Sequence, residues 1–145
     1  ASSIFHEQPI KVFNYGDMKR DFTYVDDIVE GVIQVLDHLP KPIFSFDHQV
    51  KTLTPGCSNV PYRIYNIGNN KPVDLMEFIE VLEQAIGKKA KKEFLPMQPG
   101  DVKETFADTS DLHQEIGFEA KTSIEVGIPQ FIEWFRDYYG YGTRP

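Results

Sequence analysis

Apolar residues return at helical spacing in three stretches of the chain. Leu75, Phe78, Ile79, Leu82 and Ile86 form one stripe, the pattern of an amphipathic helix. Asp74 and Glu77 stand ahead of it at capping-box spacing, and Gly87 supplies a left-handed stop. Ile28, Val32, Val35, Leu36 and Leu39 form a second stripe. Val29 and Ile33 widen it, which predicts a helix buried on more than one side. Asp26 or Asp27 is expected to cap its start, and Pro40 to end it. Ile124, Ile128, Phe131, Ile132, Phe135 and Tyr138 form the third, over about 124–139. Pro129 lies inside it and removes one backbone hydrogen bond, predicting a kink or a later start. Ser110 to Ile116 suits a short helix closed by Gly117, and Ala1 to His6 reads as the end of a helix begun upstream.

Alternating or extended runs lie between these stripes. Ile10 to Phe13 alternates after Pro9 and predicts a strand, with Asn14 to Asp17 as the turn after it. Arg20 to Val25 is a second extended segment, Arg63 to Ile67 a third and Lys92 to Leu95 a fourth. Met97 to Asp101 is a tight polar turn. Residues 40–61 hold four prolines and one glycine, and predict a surface loop. Strands alternating with helices indicate an α/β fold. Four short strands are fewer than the roughly five or six of a typical sheet, so the pattern suits part of a larger fold.

Composition narrows the classes. At 145 residues, 41% hydrophobic and 26% charged, the chain suits one folded domain spanning 1–145. A net charge of −7 argues against nucleic acid as a partner. The single cysteine, Cys57, excludes a disulfide within the chain and points to a reducing cytoplasm. It has no arranged neighbour to activate it. No apolar run approaches the roughly 20 residues that span a bilayer, so no membrane is expected.

Most catalytic constellations are absent from the sequence. No Gly-rich turn joins a strand to a helix; Gly140-Tyr141-Gly142 follows a helix and cannot cradle a pyrophosphate. His6, His38, His48 and His113 are scattered, no Cys/His set has metal-ligand spacing, and no Ser sits in a nucleophile elbow. Tyr15 and Lys19 match a Tyr-x-x-x-Lys dyad in spacing alone, because Gly16-Asp17 put a turn where the dyad needs a helix. Two signals remain. Arg20, beside a strand end, can bind phosphate oxygens through paired, charge-assisted hydrogen bonds, or it pairs with Asp21 or Asp26 at the surface. Asp101, after Gln98-Pro99-Gly100, can accept from two vicinal hydroxyls, as on a ribose, or it is an ordinary turn residue.

The order Arg-Asp-Phe-Thr-Tyr-Val-Asp-Asp (20–27), Tyr-Asn-Ile-Gly (65–68), Pro-Gly-Asp (99–101) and Ala-Asp-Thr-Ser (107–110) resembles the extended short-chain dehydrogenase/reductases over about residues 9–139. Phe13 to Gly16, Leu95 to Asp101 and Phe131 to Phe135 look most like bacterial UDP-glucuronate 4-epimerases. The resemblance implies the carboxy-terminal, substrate-binding part of an NAD(P)-binding Rossmann-like fold, with residues 21–68 contributing to the edge of the Rossmann sheet. In that family a bound NAD takes hydride from C4 of the sugar and returns it to the other face, and a Tyr, aided by Lys and Ser/Thr, moves the proton. Those groups and the NAD loop belong to the amino-terminal half, so this chain alone is expected to be inactive. The same resemblance gives Arg20 the diphosphate, Val12 and Phe13 the uracil, and Asp101 the ribose. Gln98 stands where many relatives have a second phosphate-binding Arg, which weakens a two-Arg clamp and accords with an acidic sugar. It also implies a homodimer at full length, and self-association or strand exchange of the part. A nucleotide-sugar dehydratase or decarboxylase is the alternative within the fold. A non-catalytic nucleotide-binding or interaction module is the alternative outside it.

Overall fold

A computed structural model describes residues 1–42 and 56–142. The expected loop at 40–61 therefore lies largely outside the described residues. Helix α1 (Ser2–Phe5) leads into strand β1 (Pro9–Val12) and a 3-10 turn at Phe13–Gly16. Strand β2 (Lys19–Arg20), helix α2 (Val25–Leu36), strand β3 (Val73–Asp74) and helix α3 (Leu75–Ile86) follow. Then come β4 (Lys91–Phe94), β5 (Glu104–Thr105), α4 (Ser110–Ile116) and α5 (Ile124–Tyr139). β1 pairs with β4 in parallel, Pro9 opposite Lys91 and Val12 opposite Phe94. β2 is central in a second sheet, antiparallel to β3 and parallel to β5.

The core lies where α3 crosses α5. Leu82 and Ile86 meet Ile124, Ile128 and Ile132, and Ile4 of α1 closes the cluster. These are the stripe positions expected of both helices, turned towards each other. Phe22 stacks on Phe78 with ring centroids 3.9 Å apart, attaching the segment after β2 to α3. Arg136 of α5 donates to the carbonyls of Ala85 and Ile86, satisfying acceptors that the end of α3 leaves free. Gly87 takes φ 79° as the expected stop.

Several expectations are corrected. α2 begins at Val25, with Tyr24 in the capping position, ahead of Asp26 and Asp27. Both acids lie in the first turn, where the helix dipole favours them. Asp27 accepts instead from the amide of Thr122, 2.9 Å away. α2 stops at Leu36, before Pro40; the proline ring occupies the space of a fourth-residue hydrogen bond to Leu36. Among the described residues α2 is not buried on several sides: Val29, Val32 and Ile33 are half exposed, and only Gly31 is buried. Among the described residues, 63–67 form no ladder, only a bridge from Arg63 to Cys57, with the amide of Ile64 donating to the carbonyl of Gly56 at 2.9 Å. Residues 21–24 likewise continue β2 without strand pairing. Asp74 occupies the capping position of α3 but makes no side-chain cap bond; its carboxylate lies 3.8 Å from the Lys19 ammonium. α5 runs unbroken across Pro129. The carbonyl that the proline frees is that of Glu125, an exposed residue that water can reach.

Candidate nucleotide-sugar site

Two distant segments meet at Arg20 and Asp101. β2 carries Arg20 between β3 and β5. The turn after β4 carries Asp101, whose amide donates to the carbonyl of Gln98 at 3.2 Å. Gly100 takes φ 83° there, a region that L side chains avoid. The Asp101 carboxylate is fixed on one side by the amide of Val102, 2.8 Å away. Its Oδ1 also accepts from the Arg20 guanidinium at 2.9 Å. The other terminal nitrogen of Arg20 donates to the carbonyls of Lys19 and Lys103. Asp21 and Asp26 are therefore not the partners of Arg20. Nε–H and one further N–H of the guanidinium have no acceptor among the described residues. Both side chains of the pair stay accessible, at 25% and 31% exposure.

Charge around the pair is balanced. Lys19 faces Asp74, and Lys103 pairs with Asp17 at 2.7 Å. The hydrogen bond and charge of Asp17 raise the Lys103 ammonium above its ordinary value. Three cations thus stand beside three carboxylates, and an anion gains most from the unsatisfied donors of Arg20.

The other expected contacts lie at the β1–β4 end. Val12 is buried at 1% exposure, and its carbonyl already accepts from the amide of Leu95. A base resting there would meet main chain rather than the Val12 side chain. Phe13 is half-buried at the start of the 3-10 turn, and Gln98 is exposed. Tyr15 belongs to that turn, with φ 53°, and Lys19 to β2, so they share no helix face. Among the described residues no group of acidic, His or Cys side chains could hold a metal, and no helix is long and apolar enough to cross a membrane.

Two concave regions lie elsewhere. A cleft of about 410 Å³ is lined by Phe22, Tyr24, Phe78, Thr122 and Phe131. A wider hollow of about 1160 Å³ follows α5 past Trp134 and Arg136. Neither is lined by Arg20, Gln98 or Asp101. The pair is accessible at the surface. Sequence reasoning missed Asp21, whose carboxylate accepts from the amides of Asn70 and Ala107. Its only signal was its place beside Arg20.

The family model of GDP-mannose 4,6 dehydratase matches residues 3–131. The chain belongs to this family. It is 52% identical over 139 residues to an uncharacterized 37.6 kDa protein in the cld 5′ region of Escherichia coli O111:H-, covering 96% of this chain and 41% of that one. It is 38% identical to a UDP-glucuronate 4-epimerase of Thermodesulfobacterium geofontis, covering 92% and 35%. Among solved structures it resembles the UDP-glucuronic acid 4-epimerase of Bacillus cereus in complex with UDP-glucuronic acid and NAD. The TM-score is 0.71 at 26% identity, covering 94% of this chain and 38% of that one. The chain spans between about a third and two fifths of the length of the curated relatives it matches. Fold and coverage fit the carboxy-terminal part of an extended short-chain dehydrogenase/reductase of the nucleotide-sugar epimerase type.

Proposed function

We propose that this chain forms the nucleotide-sugar-binding wall of a UDP-glucuronate 4-epimerase. The carrying observation is the Arg20–Asp101 pair, built from segments 81 residues apart and left accessible. Arg20 presents unsatisfied donors to the diphosphate, and the Asp101 carboxylate accepts from the ribose hydroxyls. Val12 and Phe13 line the base with main chain and ring, and Gln98 hydrogen-bonds at the phosphate end without adding charge. The named epimerase relatives support UDP-glucuronate as the substrate.

The Bacillus cereus relative carries NAD. The described residues do not fit that cofactor: no Gly-rich turn joins a strand to a helix, and Gly140-Tyr141-Gly142 follows α5. In a chain of the relatives' length, the open face of α2 and the segment 63–67 would pack on the nucleotide-binding sheet. Residues 21–68 would then belong to the edge of that sheet, and a homodimer would be the working unit.

Calorimetric titration of UDP tests the site. Arg20→Ala should weaken binding by roughly tenfold or more, the worth of one charge-assisted pair. Wild type should prefer UDP over 2′-deoxy-UDP, and Asp101→Ala should abolish the preference. Equal affinity of wild type and Arg20→Ala for UDP would show that the phosphates bind elsewhere.

A further inference from the structure

The segment from Asp101 to Phe106 has no apolar anchor. Each of its residues is exposed, Val102 and Phe106 included, and β5 inside it adds only two residues to a sheet. Burial cannot hold Asp101 beside Arg20, so polar contacts must. Part of that role falls to the short ladder, where the amide of Lys19 donates to Lys103 and that of Asp21 to Thr105. Asp21 continues the fastening where the ladder stops. Its Oδ2 accepts from the amide of Ala107 at 3.3 Å and from that of Asn70 at 3.0 Å. Gly68 marks how tightly these segments close. A β-carbon there would lie 2.8 Å from Asp21 Oδ2 and 2.8 Å from the β-carbon of Ala107. The second oxygen, Oδ1, is buried without a hydrogen-bond partner, so the carboxylate is confined rather than solvated.

We propose that Asp21 is a positioning residue for the nucleotide-sugar site. Its carboxylate fastens the amides of Ala107 and Asn70, and thereby holds the 101–106 segment with Asp101 against Arg20. The ligand half of this statement rests on the reading of Arg20 and Asp101 given above. A carboxylate suits the task because one oxygen accepts from two amides, and its charge strengthens both bonds.

Amide hydrogen exchange on the whole chain, read residue by residue, tests the fastening, and UDP titration tests its consequence. Asp21→Ala should speed exchange at Ala107 and Asn70 by roughly tenfold while leaving α3 and α5 protected. It should weaken UDP binding by roughly tenfold. Asp21→Asn keeps an acceptor oxygen in place and should recover most of both. Gly68→Ala keeps the carboxylate but displaces it, and should reproduce Asp21→Ala. If Asp21→Ala does not fold, Asp21→Asn against Gly68→Ala carries the comparison. Unchanged exchange at Ala107, or protection lost equally across α3 and α5, overturns the proposal. Should Arg20→Ala leave UDP affinity untouched, the ligand reading fails separately, and exchange at Ala107 still decides whether Asp21 holds the segment.

Discussion

Glu83 is a carboxylate set inside the last turn of α3, with 1% of its side chain exposed. It accepts from the Lys89 ammonium at 2.7 Å, from the Lys92 ammonium and from the amide of Ala90. Burial by itself pushes the carboxyl group up. The hydrogen bonds from Lys89, Lys92 and Ala90, with the charge of Lys92, outweigh it and bring the group down to about 2. The folded value lies below the ordinary value of about 4.3, so the unfolded chain takes the proton first. The stabilisation is complete above about pH 5 and drains away as pH falls towards 2. Urea midpoints measured from pH 6 to pH 2.5 should fall, and Glu83→Gln should flatten that fall. At pH 7 the same variant should lose about 3 kcal/mol, since it leaves the half-buried Lys92 ammonium uncompensated. A midpoint in Glu83→Gln that tracks wild type through the acid range would assign acid sensitivity to other carboxylates. Nothing in the sequence singles out Glu83, because a Glu between Leu82 and Gln84 reads as a solvated helix position. Arg20 and Asp101 draw attention in the sequence for the opposite reason: each sits in a short motif that suggests a binding chemistry. Their direct contact was not legible, since it depends on how the segment after β4 returns to β2.

Gly31 shows what an element demands of one position. A β-carbon there would meet Ile67 Cδ1 at 2.4 Å and two ring atoms of Phe118 at 3.1 Å. The Ile67 methyl can swing aside, but the Phe118 ring is buried at 5% exposure and has little room. Gly31→Ala gains about 1 kcal/mol of helix propensity and loses about 2 kcal/mol to overpacking. The net expectation is a loss of about 1 kcal/mol, seen as a melting temperature a few degrees lower. A higher melting temperature would mean that α2 shifts freely over Phe118. Among elements, α3 and α5 were legible because their stripes face each other within the chain, and α4 because Gly117 marks its end. α2 showed the same periodicity, but its expected burial failed because a stripe reports apolar spacing and not what covers it. β3 and β5 were not legible at all, since two residues cannot display alternation. At 63–67 the side chains hold what a ladder does not. Tyr65 donates to Glu115, Arg63 pairs with the same carboxylate, and Asn66 donates to the carbonyl of Asp108.

At the scale of the molecule, one continuous run of uncovered apolar surface follows α2. Val25, Val29, Val32, Ile33 and Leu36 are all at least half exposed along α2, and Ile64 is half exposed in the segment 63–67. Single exposed apolar residues are ordinary, but a whole helix face is the mark of an interface. The chain spans about two fifths of the Escherichia coli relative's length, and under the proposed function this face is the one that packs on the nucleotide-binding sheet. Water is a poor solvent for that face, and a second copy offers the same apolar surface in return. Sedimentation velocity should therefore show association that grows with concentration, with binding of an apolar dye that falls as association rises. Val29→Glu combined with Val32→Glu places two charges on the face without touching the α3–α5 core. It should return the chain towards monomer and lower dye binding, with little change in melting temperature. A wild-type chain that sediments as a clean monomer and binds no dye would mean that the face closes on itself in solution. α2 would then pack differently from its position against Phe118, and the case for a covering sheet would fall with it.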